Sequence, residues 1–260
     1  MRKLNLSRRG VLTAGAASLG GLLLGGCDQS PNGGLVRSIL DSGEKLTYAA
    51  QRALLGRSAM APEFTEADIG STFKANGNTD PDSDDYVAMV DNGFKDFKLK
   101  VDGLVEHPLE LSLEQLRAMP ARTQITRHDC VEGWSCIGKW TGVPLSQILD
   151  QAGVKQTAQY VVFHCADTMD DGDLNGPTPF YGSIDLDDGH HPQTILAYDM
   201  NDKTLPVAHG APLRLRVERQ LGYKMSKYIM RIELVDSYAK FGAGKGGYWE
   251  DNGYDWYGGI

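Results

Sequence analysis

The stretch R-H-D-C-V-E-G-W-S at residues 127–135, followed by W-T-G-V-P-L at residues 140–145, decides how this sequence folds. On both sides of it, short segments rich in Val, Ile, Leu, Tyr and Phe have the composition or the alternation of β-strands. The clearest lie at 97–101, 160–163, 213–217 and 228–235, and short helical patterns lie at 111–116 and 145–152. Many short strands with few helices predict an α+β domain whose sheets are coiled or barrel-like, with helices around them.

The composition of the 260-residue chain is that of a folded protein, with 41% hydrophobic and 23% charged residues. Its formal net charge is -8, and because the first 26 residues carry four basic side chains and no acidic one, the rest carries -12. A body this acidic is a poor partner for a phosphate backbone, whose binding requires basic side chains. The charge therefore argues against nucleic acid as a ligand.

The N-terminus has the features of an export leader. Residues 7–12 read S-R-R-G-V-L, a twin-arginine pattern, and the uncharged Ala/Gly/Leu stretch that follows is too short to span a bilayer comfortably. The stretch ends in L-G-G-C at 24–27, which resembles a lipoprotein box in which Cys27 is acylated, and Asp28 resembles an inner-membrane retention signal. A free Cys27 inside a simple leader is the alternative.

These features divide the chain into a leader at 1–26, a tether at 27–63 and one domain at 64–260 with an aromatic C-terminal tail. We expect a periplasmic protein, exported by the Tat route and anchored to the inner membrane by the lipid on Cys27. Twin-arginine export carries folded proteins, and a common reason for folding first is a cofactor inserted in the cytoplasm. The leader therefore predicts a cofactor.

Three cysteines lie in the predicted domain, at positions 130, 136 and 165. An odd number of thiols in an oxidising compartment leaves at least one without a disulfide partner, and metal ligation is one role for it. A disulfide between Cys136 and Cys165 remains open. The spacing of these residues and the histidines fits no C-x-x-C or H-x-x-x-H zinc pair.

A second set of motifs begins in the last third of the sequence. It comprises L-A-Y-D-M-N at 196–201, L-P at 205–206, H-G-A-P-L-R at 209–214 and G-Y-K-M-S-K at 222–227. Together with residues 127–145, these motifs resemble the sulfite oxidase family of molybdopterin-dependent oxidoreductases, and most nearly its periplasmic catalytic subunits that reduce protein methionine sulfoxide. The resemblance covers residues 69–238 and implies a sulfite-oxidase-type molybdopterin-binding fold with molybdenum-molybdopterin (Mo-MPT) as cofactor.

The resemblance also implies which residues hold this cofactor. Cys130 takes the position of the molybdenum ligand, and a thiolate suits a metal that soft sulfur atoms already hold. Six further positions match cofactor contacts: Asn76, Cys165, His209, Arg214, Ser226 and Lys227. A guanidinium fork and an ammonium group both suit a phosphate. Without the resemblance, the same side chains read as strand-end charges, a structural histidine and a turn-forming Asn.

Departures from the family pattern limit the substrate. Sulfite oxidases place Arg side chains where this sequence has Ala75, Trp134 and Ser135. Each cation in a partly buried site is worth about 4 kcal/mol at an effective dielectric near 20, so their loss disfavours sulfite. We expect oxygen-atom transfer that reduces a neutral S-oxide or N-oxide. The family's Tyr beside the metal aligns with Phe180, which makes the adjacent Tyr181 the candidate catalytic residue.

The expected partners follow from what the sequence contains. It has no C-x-x-C-H haem motif, so electrons for a small-molecule substrate must come from outside, and the resemblance implies a haem-bearing membrane subunit. The family's second, immunoglobulin-like dimerisation domain has no counterpart after residue 238, which predicts a monomer. The tail at 248–260 is either an aromatic flap or a docking surface for a redox partner. Two other functions stay open: a sulfur-compound oxidase, and a non-catalytic periplasmic binding lipoprotein.

Overall fold

A computed structural model describes residues 33–56, 58–169 and 178–260. The predicted leader, Cys27 and Asp28 lie outside these described residues. Helix α1, Gly33–Leu55, crosses the boundary between two compact units, Met1–Thr47 and Tyr48–Ile260. Among the described residues, no helix has both the length and the apolar character that crossing a bilayer requires.

The second unit contains two β-sheets and several short helices. The strands are β1 (Lys98–Gly103), β2 (Leu109–Ser112), β3 (Arg122–Asp129), β4 (Ser135–Pro144), β5 (Tyr160–Met169), β6 (Thr178–Asp185), β7 (Ile195–Met200), β8 (Lys203–Thr204), β9 (Arg214–Arg216) and β10 (Ile229–Val235). The helices after α1 are α2 (Asp84–Asp91), α3 (Leu113–Ala118), α4 (Leu145–Ala152), α5 (Leu186–Gly189) and α6 (Tyr248–Asp251). The predicted α+β class is confirmed.

The strands form two five-stranded sheets. Sheet 1 has the order β2-β1-β10-β5-β6, and sheet 2 has the order β3-β4-β7-β8 with β9 paired to β7. In the centre of sheet 1, β1 and β10 are parallel neighbours with Lys100 opposite Arg231, although they are far apart in sequence. This long-range pairing joins the beginning of the domain to its end.

Helix α4 shows how the apolar pattern builds the core. Leu145, Ile148, Leu149 and Ala152 recur at helical spacing and are all fully buried in the cluster that includes the inner faces of β1, β5 and β10. Burying one such large side chain stabilises the fold by about 1.5–3 kcal/mol. The helix ends at Gly153, whose φ of 65° is the left-handed conformation that glycine adopts most easily.

The hairpin of β3 and β4 explains the two motifs around position 130. The strands pair from Arg122 opposite Gly142 to Asp129 opposite Ser135, so residues 130–134 form the connecting loop. Gly142 lies so close to the backbone of Leu196 that no Cβ would fit there. The motif residues therefore set the hairpin against β7 and present Cys130 at its tip.

The last part of the predicted tether packs on the domain. The guanidinium of Arg52, in the second half of α1, donates hydrogen bonds to Asp185 and Asp188 at 2.9 Å each. The Tyr48 hydroxyl donates to the same Asp185 carboxylate at 2.8 Å. Because Arg52 and both carboxylates are largely buried, residues 48–55 are a structural part of the second unit.

Candidate cofactor and active site

A cleft of about 800 Å³ opens between the hairpin tip, the loop at 76–78, the end of β5, the segment 222–227 and the C-terminal residues. Four of the predicted site residues line it: Cys130, Asn76, Arg214 and Lys227. They come from four separate parts of the sequence, and the fold brings them into one cavity.

Cys130 lies in a tight turn at the hairpin tip. Its backbone N–H donates to the carbonyl of Trp134 at 3.0 Å, and the N–H of Gly133 donates back to the Cys130 carbonyl at 3.0 Å. Gly133 has a φ of 82°, which a residue with a side chain adopts only with strain. The thiol is free and half-buried, so it is held on a defined backbone and remains accessible from the cleft.

Arg214, at the start of β9, is a buried cation that faces the cleft. Its side chain is 2% exposed, its Nη1 donates to the carbonyl of His209 at 3.0 Å, and its Nε has no hydrogen-bond partner among the described residues. Burial, and then the neighbouring Arg216, lowers the pKa of Arg214 to about 9. A buried guanidinium with donors to spare is a site for an anion.

Trp140 explains how two arginines can lie side by side in the interior. The guanidinium carbons of Arg214 and Arg216 lie 4.9 and 4.5 Å from the centre of its indole ring, and the ring face attracts cations. Arg216 is in addition fully neutralised by Glu218, and both side chains of this pair are buried. Arg214 has no such carboxylate at hydrogen-bond distance among the described residues, and this difference leaves it available to a ligand.

Lys227 fixes the loop that carries Asn76. Its ammonium group donates to the carbonyl of Asn76 at 2.8 Å and to the carbonyl of Asn78. The side chain is 8% exposed, and burial, then repulsion from Arg214, lowers its pKa to about 7. Gly210, with a φ of 109°, allows this arrangement because a Cβ there would lie only 2.8 Å from the Lys227 Cβ.

The remaining predicted cofactor residues lie behind the cleft surface. The His209 ring is half-buried, with its centre 5.7 Å from that of Phe73, and burial followed by Arg214 lowers its pKa to about 4. Ser226 is buried, and its hydroxyl makes no hydrogen bond of good geometry among the described residues. The nearby Cys165 thiol has its pKa raised by burial, while the Ser226 hydroxyl acts in the opposite direction.

All three described cysteines are free thiols, so Cys136 and Cys165 do not form the disulfide that the sequence left open. Cys136 lies on β4 opposite His128 of β3, and the backbone N–H of Lys74 points to its sulfur at 3.5 Å. Cys165 lies on β5 opposite Ile229 in the other sheet. The two residues therefore belong to different sheets.

The structure does not bring Tyr181 into the cleft. Tyr181 and Phe180 are adjacent on β6, and side chains of adjacent strand residues point to opposite faces. Phe180 lines the cleft, whereas the Tyr181 hydroxyl donates to Asp251 at 2.6 Å and its ring packs with Val162. The expected role of Tyr181 beside the metal is therefore not supported by its position.

Sequence analysis missed Asp167, which lines the cleft at the end of β5. Its carboxylate is 4% exposed, and one of its oxygens has no hydrogen-bond partner among the described residues. Burial raises the pKa of Asp167 to about 7, against the lowering effect of Lys227. No local signal could have identified it, because an Asp after a strand is usually a turn residue, and only the packing buries this one.

The C-terminal residues were also missed as part of the site. Trp249 and Tyr254 line the cleft beside Tyr223. The aromatic composition of the tail was visible in the sequence, but its position against the cleft was not.

These side chains fit a prosthetic group that bears a phosphate and a polar ring. Two buried polar atoms that have no hydrogen-bond partner among the described residues belong to side chains that line the cleft: Arg214 Nε and one carboxylate oxygen of Asp167. Buried polar groups are nearly always hydrogen-bonded, so a ligand that supplies both acceptors and donors would complete the site. Cys130 adds a sulfur ligand on the same cleft. The donor set matches a molybdopterin group.

The fold and this site define a molybdopterin-dependent oxidoreductase. The sequence model of the family described as oxidoreductase molybdopterin binding domain matches residues 86–241, and the chain belongs to this family. It is an enzyme of the sulfite oxidase type, and its cofactor is Mo-MPT. The predictions of family, fold and cofactor are confirmed.

Several curated relatives are similar over long stretches. A protein of Azospira oryzae with the provisional name of a protein-methionine-sulfoxide reductase subunit is 38% identical over 98% of this chain and 89% of its own length. A protein-methionine-sulfoxide reductase catalytic subunit of Xanthomonas campestris is 37% identical over 54% of this chain, which spans 45% of that relative. The Gluconobacter oxydans catalytic subunit is 29% identical over 73% of this chain and 70% of its own length.

Among solved structures, the sulfane dehydrogenase SoxCD of Paracoccus pantotrophus is similar, with 25% identity and a TM-score of 0.47. The match covers 55% of this chain and 39% of the SoxCD chain.

Proposed function

We propose that this chain is an exported oxidoreductase that reduces a neutral S-oxide by oxygen-atom transfer, with N-oxides as the second class of acceptor. The observation that carries this proposal is the charge of the cleft. The names of the relatives, which refer to protein methionine sulfoxide, favour the S-oxide.

The cleft is unsuited to an anionic substrate. Among its described lining residues, the cations are Arg214 and Lys227, and both are more than nine-tenths buried on the side that fits the cofactor. The mouth instead carries Glu132, whose side chain is 61% exposed. A sulfite dianion would meet this carboxylate without a compensating cation, since the exposed Lys74 is already paired with it.

Trp134 and Ser135 occupy the positions where an anion-binding enzyme of the family has cations. The Trp134 indole N–H donates to Glu132 at 2.7 Å, and the Ser135 hydroxyl donates to Asp129 at 2.5 Å. Both donors therefore form hydrogen bonds with the enzyme's own carboxylates rather than with a substrate. This arrangement favours a neutral substrate over a sulfur oxyanion.

We propose the following roles for the residues of the site. The Cys130 thiolate would hold the metal, and Arg214 would hold the phosphate of the cofactor, while Lys227 adds positive charge and fixes the loop that carries Asn76. Five residues contact its polar ring system or shape the pocket for it: Asn76, Cys165, Asp167, His209 and Ser226. When bound, Mo-MPT supplies two-electron oxygen-atom chemistry. The chain fixes the group, keeps anions away and leaves the cleft open to the S-oxide.

We further propose that the protein works in the periplasm as the catalytic partner of a haem-bearing membrane subunit that supplies electrons. The twin-arginine pattern at residues 7–12 and the lipoprotein-like sequence at 24–27 support export and attachment at Cys27. The naming of the Azospira oryzae relative as a subunit is consistent with a partner. Dependence of membrane-linked turnover on a haem protein tests this arrangement.

The test of substrate class is turnover of the purified Mo-MPT enzyme in both directions. With dithionite-reduced viologen as donor, we expect oxidation of the dye on addition of methionine sulfoxide, dimethyl sulfoxide or trimethylamine N-oxide. With ferricyanide as acceptor, we expect no oxidation of sulfite. Rapid sulfite oxidation without S-oxide reduction would instead favour the sulfur-compound oxidase.

Replacement of Cys130 by Ser tests the metal ligand. We expect viologen-linked turnover to fall by more than about 100-fold, because even residues that only support a metal ligand are worth about 10–100-fold. Pterin content should persist, since the phosphate and ring contacts lie on other residues. Cys136→Ser, at a half-buried thiol six residues away, is the matched control and should keep its activity. Equal activity of the two variants would refute the assignment.

A further inference from the structure

The C-terminal segment that borders the cleft is firmly attached to the domain. Glu250 on α6 forms an ion pair with Lys224, and both side chains are almost fully buried. The next residue, Asp251, accepts the hydrogen bond from the Tyr181 hydroxyl at 2.6 Å. The Ser183 hydroxyl donates to the carbonyl of Gly246 just before the helix. These contacts hold the C-terminal segment on the domain.

The residue between the buried positions points elsewhere. Tyr248 and Glu250 are buried, whereas Trp249 is half-exposed and lines the cleft. Its ring centre lies 5.5 Å from that of Tyr254, which is 39% exposed and also lines the cleft. Tyr254 in turn lies 5.2 Å from Tyr223. The three rings form one continuous surface, which we call the aromatic wall.

The aromatic wall faces a cleft whose other apolar lining is unusually rich in sulfur. Met169 and Met225 line it together with Phe180. Aromatic rings and thioethers are large, polarizable surfaces that attract apolar groups and sulfur atoms without supplying charge. Trp249 and Tyr254 contribute ring contacts at the cleft, whereas the ion pair and the side-chain hydrogen bonds that anchor the segment come from other residues.

We propose that Trp249 and Tyr254 determine specificity by binding the apolar substituent of the S-oxide, so that S-oxides with a long or aromatic substituent are preferred over dimethyl sulfoxide. This inference rests on the proposed function and names the substrate class within it. The sulfinyl oxygen faces the metal side of the cleft near Cys130, and the substituent lies against the aromatic wall. Glu132 at the mouth disfavours a carboxylate near the sulfur, so a peptide-borne or esterified substituent is preferred over a free acid.

The test compares an S-oxide that has an aromatic substituent with one that has only methyl groups. Steady-state kinetics of the Mo-MPT enzyme are measured with methyl p-tolyl sulfoxide and with dimethyl sulfoxide. For the double variant Trp249→Ala, Tyr254→Ala we expect KM for the aryl sulfoxide to rise about tenfold, the size expected for the loss of two aromatic contacts. KM for dimethyl sulfoxide and both kcat values should stay within about twofold, the pattern of lost uniform binding.

Two further variants separate a specificity role from a structural one. Trp249→Phe keeps an apolar ring, so this single variant should retain most of the wild-type affinity for the aryl sulfoxide. Trp256→Phe changes an aromatic residue of the same segment that contacts Ser183 and Tyr238 instead of the cleft, and it should change neither KM. Equal effects on both S-oxides, or no effect on the aryl sulfoxide, would overturn the proposal.

Binding of methyl p-tolyl sulfone, which resembles the substrate but is not expected to be reduced, separates this inference from the proposed function. We expect isothermal titration calorimetry to show binding to the wild type and about tenfold weaker binding to the double variant. If S-oxides are not reduced but the difference in sulfone binding is observed, the binding role of the aromatic wall is supported and the proposed reaction is wrong. If S-oxides are reduced and both proteins bind the sulfone equally, the aromatic wall has no role in selection.

Discussion

The two sheets of this molecule are built from opposite kinds of buried residue. In sheet 1, the side chains of β1, β5 and β10 that enter the main core cluster are aliphatic or aromatic: Leu99, Val101, Val161, Phe163, Ile232 and Leu234. The corresponding strands of sheet 2 bury polar and charged ones: Gln124, Thr126 and His128 on β3, with Arg214 and Arg216 on β9. Sheet 1 provides stability, and sheet 2 provides a binding site at a cost in stability.

The physical reason is the difference between burying a hydrocarbon and burying a charge. Each large apolar side chain stabilises the fold by about 1.5–3 kcal/mol, whereas an ionised group loses its hydration and requires partners. Within sheet 2, Glu218 supplies a partner to Arg216, and Trp140 covers both guanidinium groups. The partner of Arg214 is missing among the described residues, so the cofactor is expected to complete this interior.

The largest expected effect on cofactor content comes from Arg214→Met, which removes the unpaired buried charge and keeps most of the volume. We expect the molybdenum and pterin content of the purified protein to fall by at least about tenfold, since charge-assisted contacts to a phosphate are strong. Without cofactor, the Arg214→Met variant should be at least as stable as the cofactor-free wild type, because no carboxylate of the protein loses its partner.

Metal analysis, pterin fluorescence after oxidation and thermal unfolding measure these effects. Arg117→Met, at a partly exposed ion pair with Asp199, is the matched control and should keep its cofactor. A large loss of stability in cofactor-free Arg214→Met would contradict the contrast between the sheets.

The largest expected effect on stability tests sheet 1. Leu234→Ala, in the central strand β10, should lower the free energy of unfolding by about 2–5 kcal/mol, because the side chain is fully buried in the core cluster. The cofactor content of the folded protein should not change. Denaturant unfolding measures the first quantity and metal analysis the second. Leu54→Ala, at a residue that is 84% exposed, should change stability by less than about 0.5 kcal/mol.

The smallest effect is the pH dependence caused by His209. Its pKa is lowered to about 4, so between about pH 6.5 and 4 the unfolded chain binds a proton that the folded protein does not. Stability therefore falls as the pH is lowered through this range. His209→Asn should make the decrease in melting temperature between pH 7 and pH 5 shallower than in the wild type. Identical profiles would show that burial and the neighbouring cations do not lower the pKa of His209. His107→Asn, on the surface, is the control.

Prediction from sequence worked where chemistry and spacing are local. Through the family resemblance, the hairpin motif predicted Cys130 and the H-G-A-P-L-R motif predicted Arg214 as site residues, and both line the cleft. Tyr181 shows the limit. A difference of one residue along a strand moves a side chain to the opposite face: Phe180, which aligns with the family's Tyr, lines the cleft, whereas the adjacent Tyr181 does not.

The sequence by itself determined the strand-rich α+β fold and the family, because periodicity and side-chain chemistry are properties of short segments. By its resemblance to the family it predicted Cys130 as the metal ligand and Arg214 and Lys227 as phosphate contacts. The tertiary structure decided which groups share the cleft and which of them lack a partner. Asp167 and Trp249 belong to the site only because β5 and the C-terminal segment end beside the same hairpin tip. Distance and desolvation arise from long-range packing, and no local pattern specifies them.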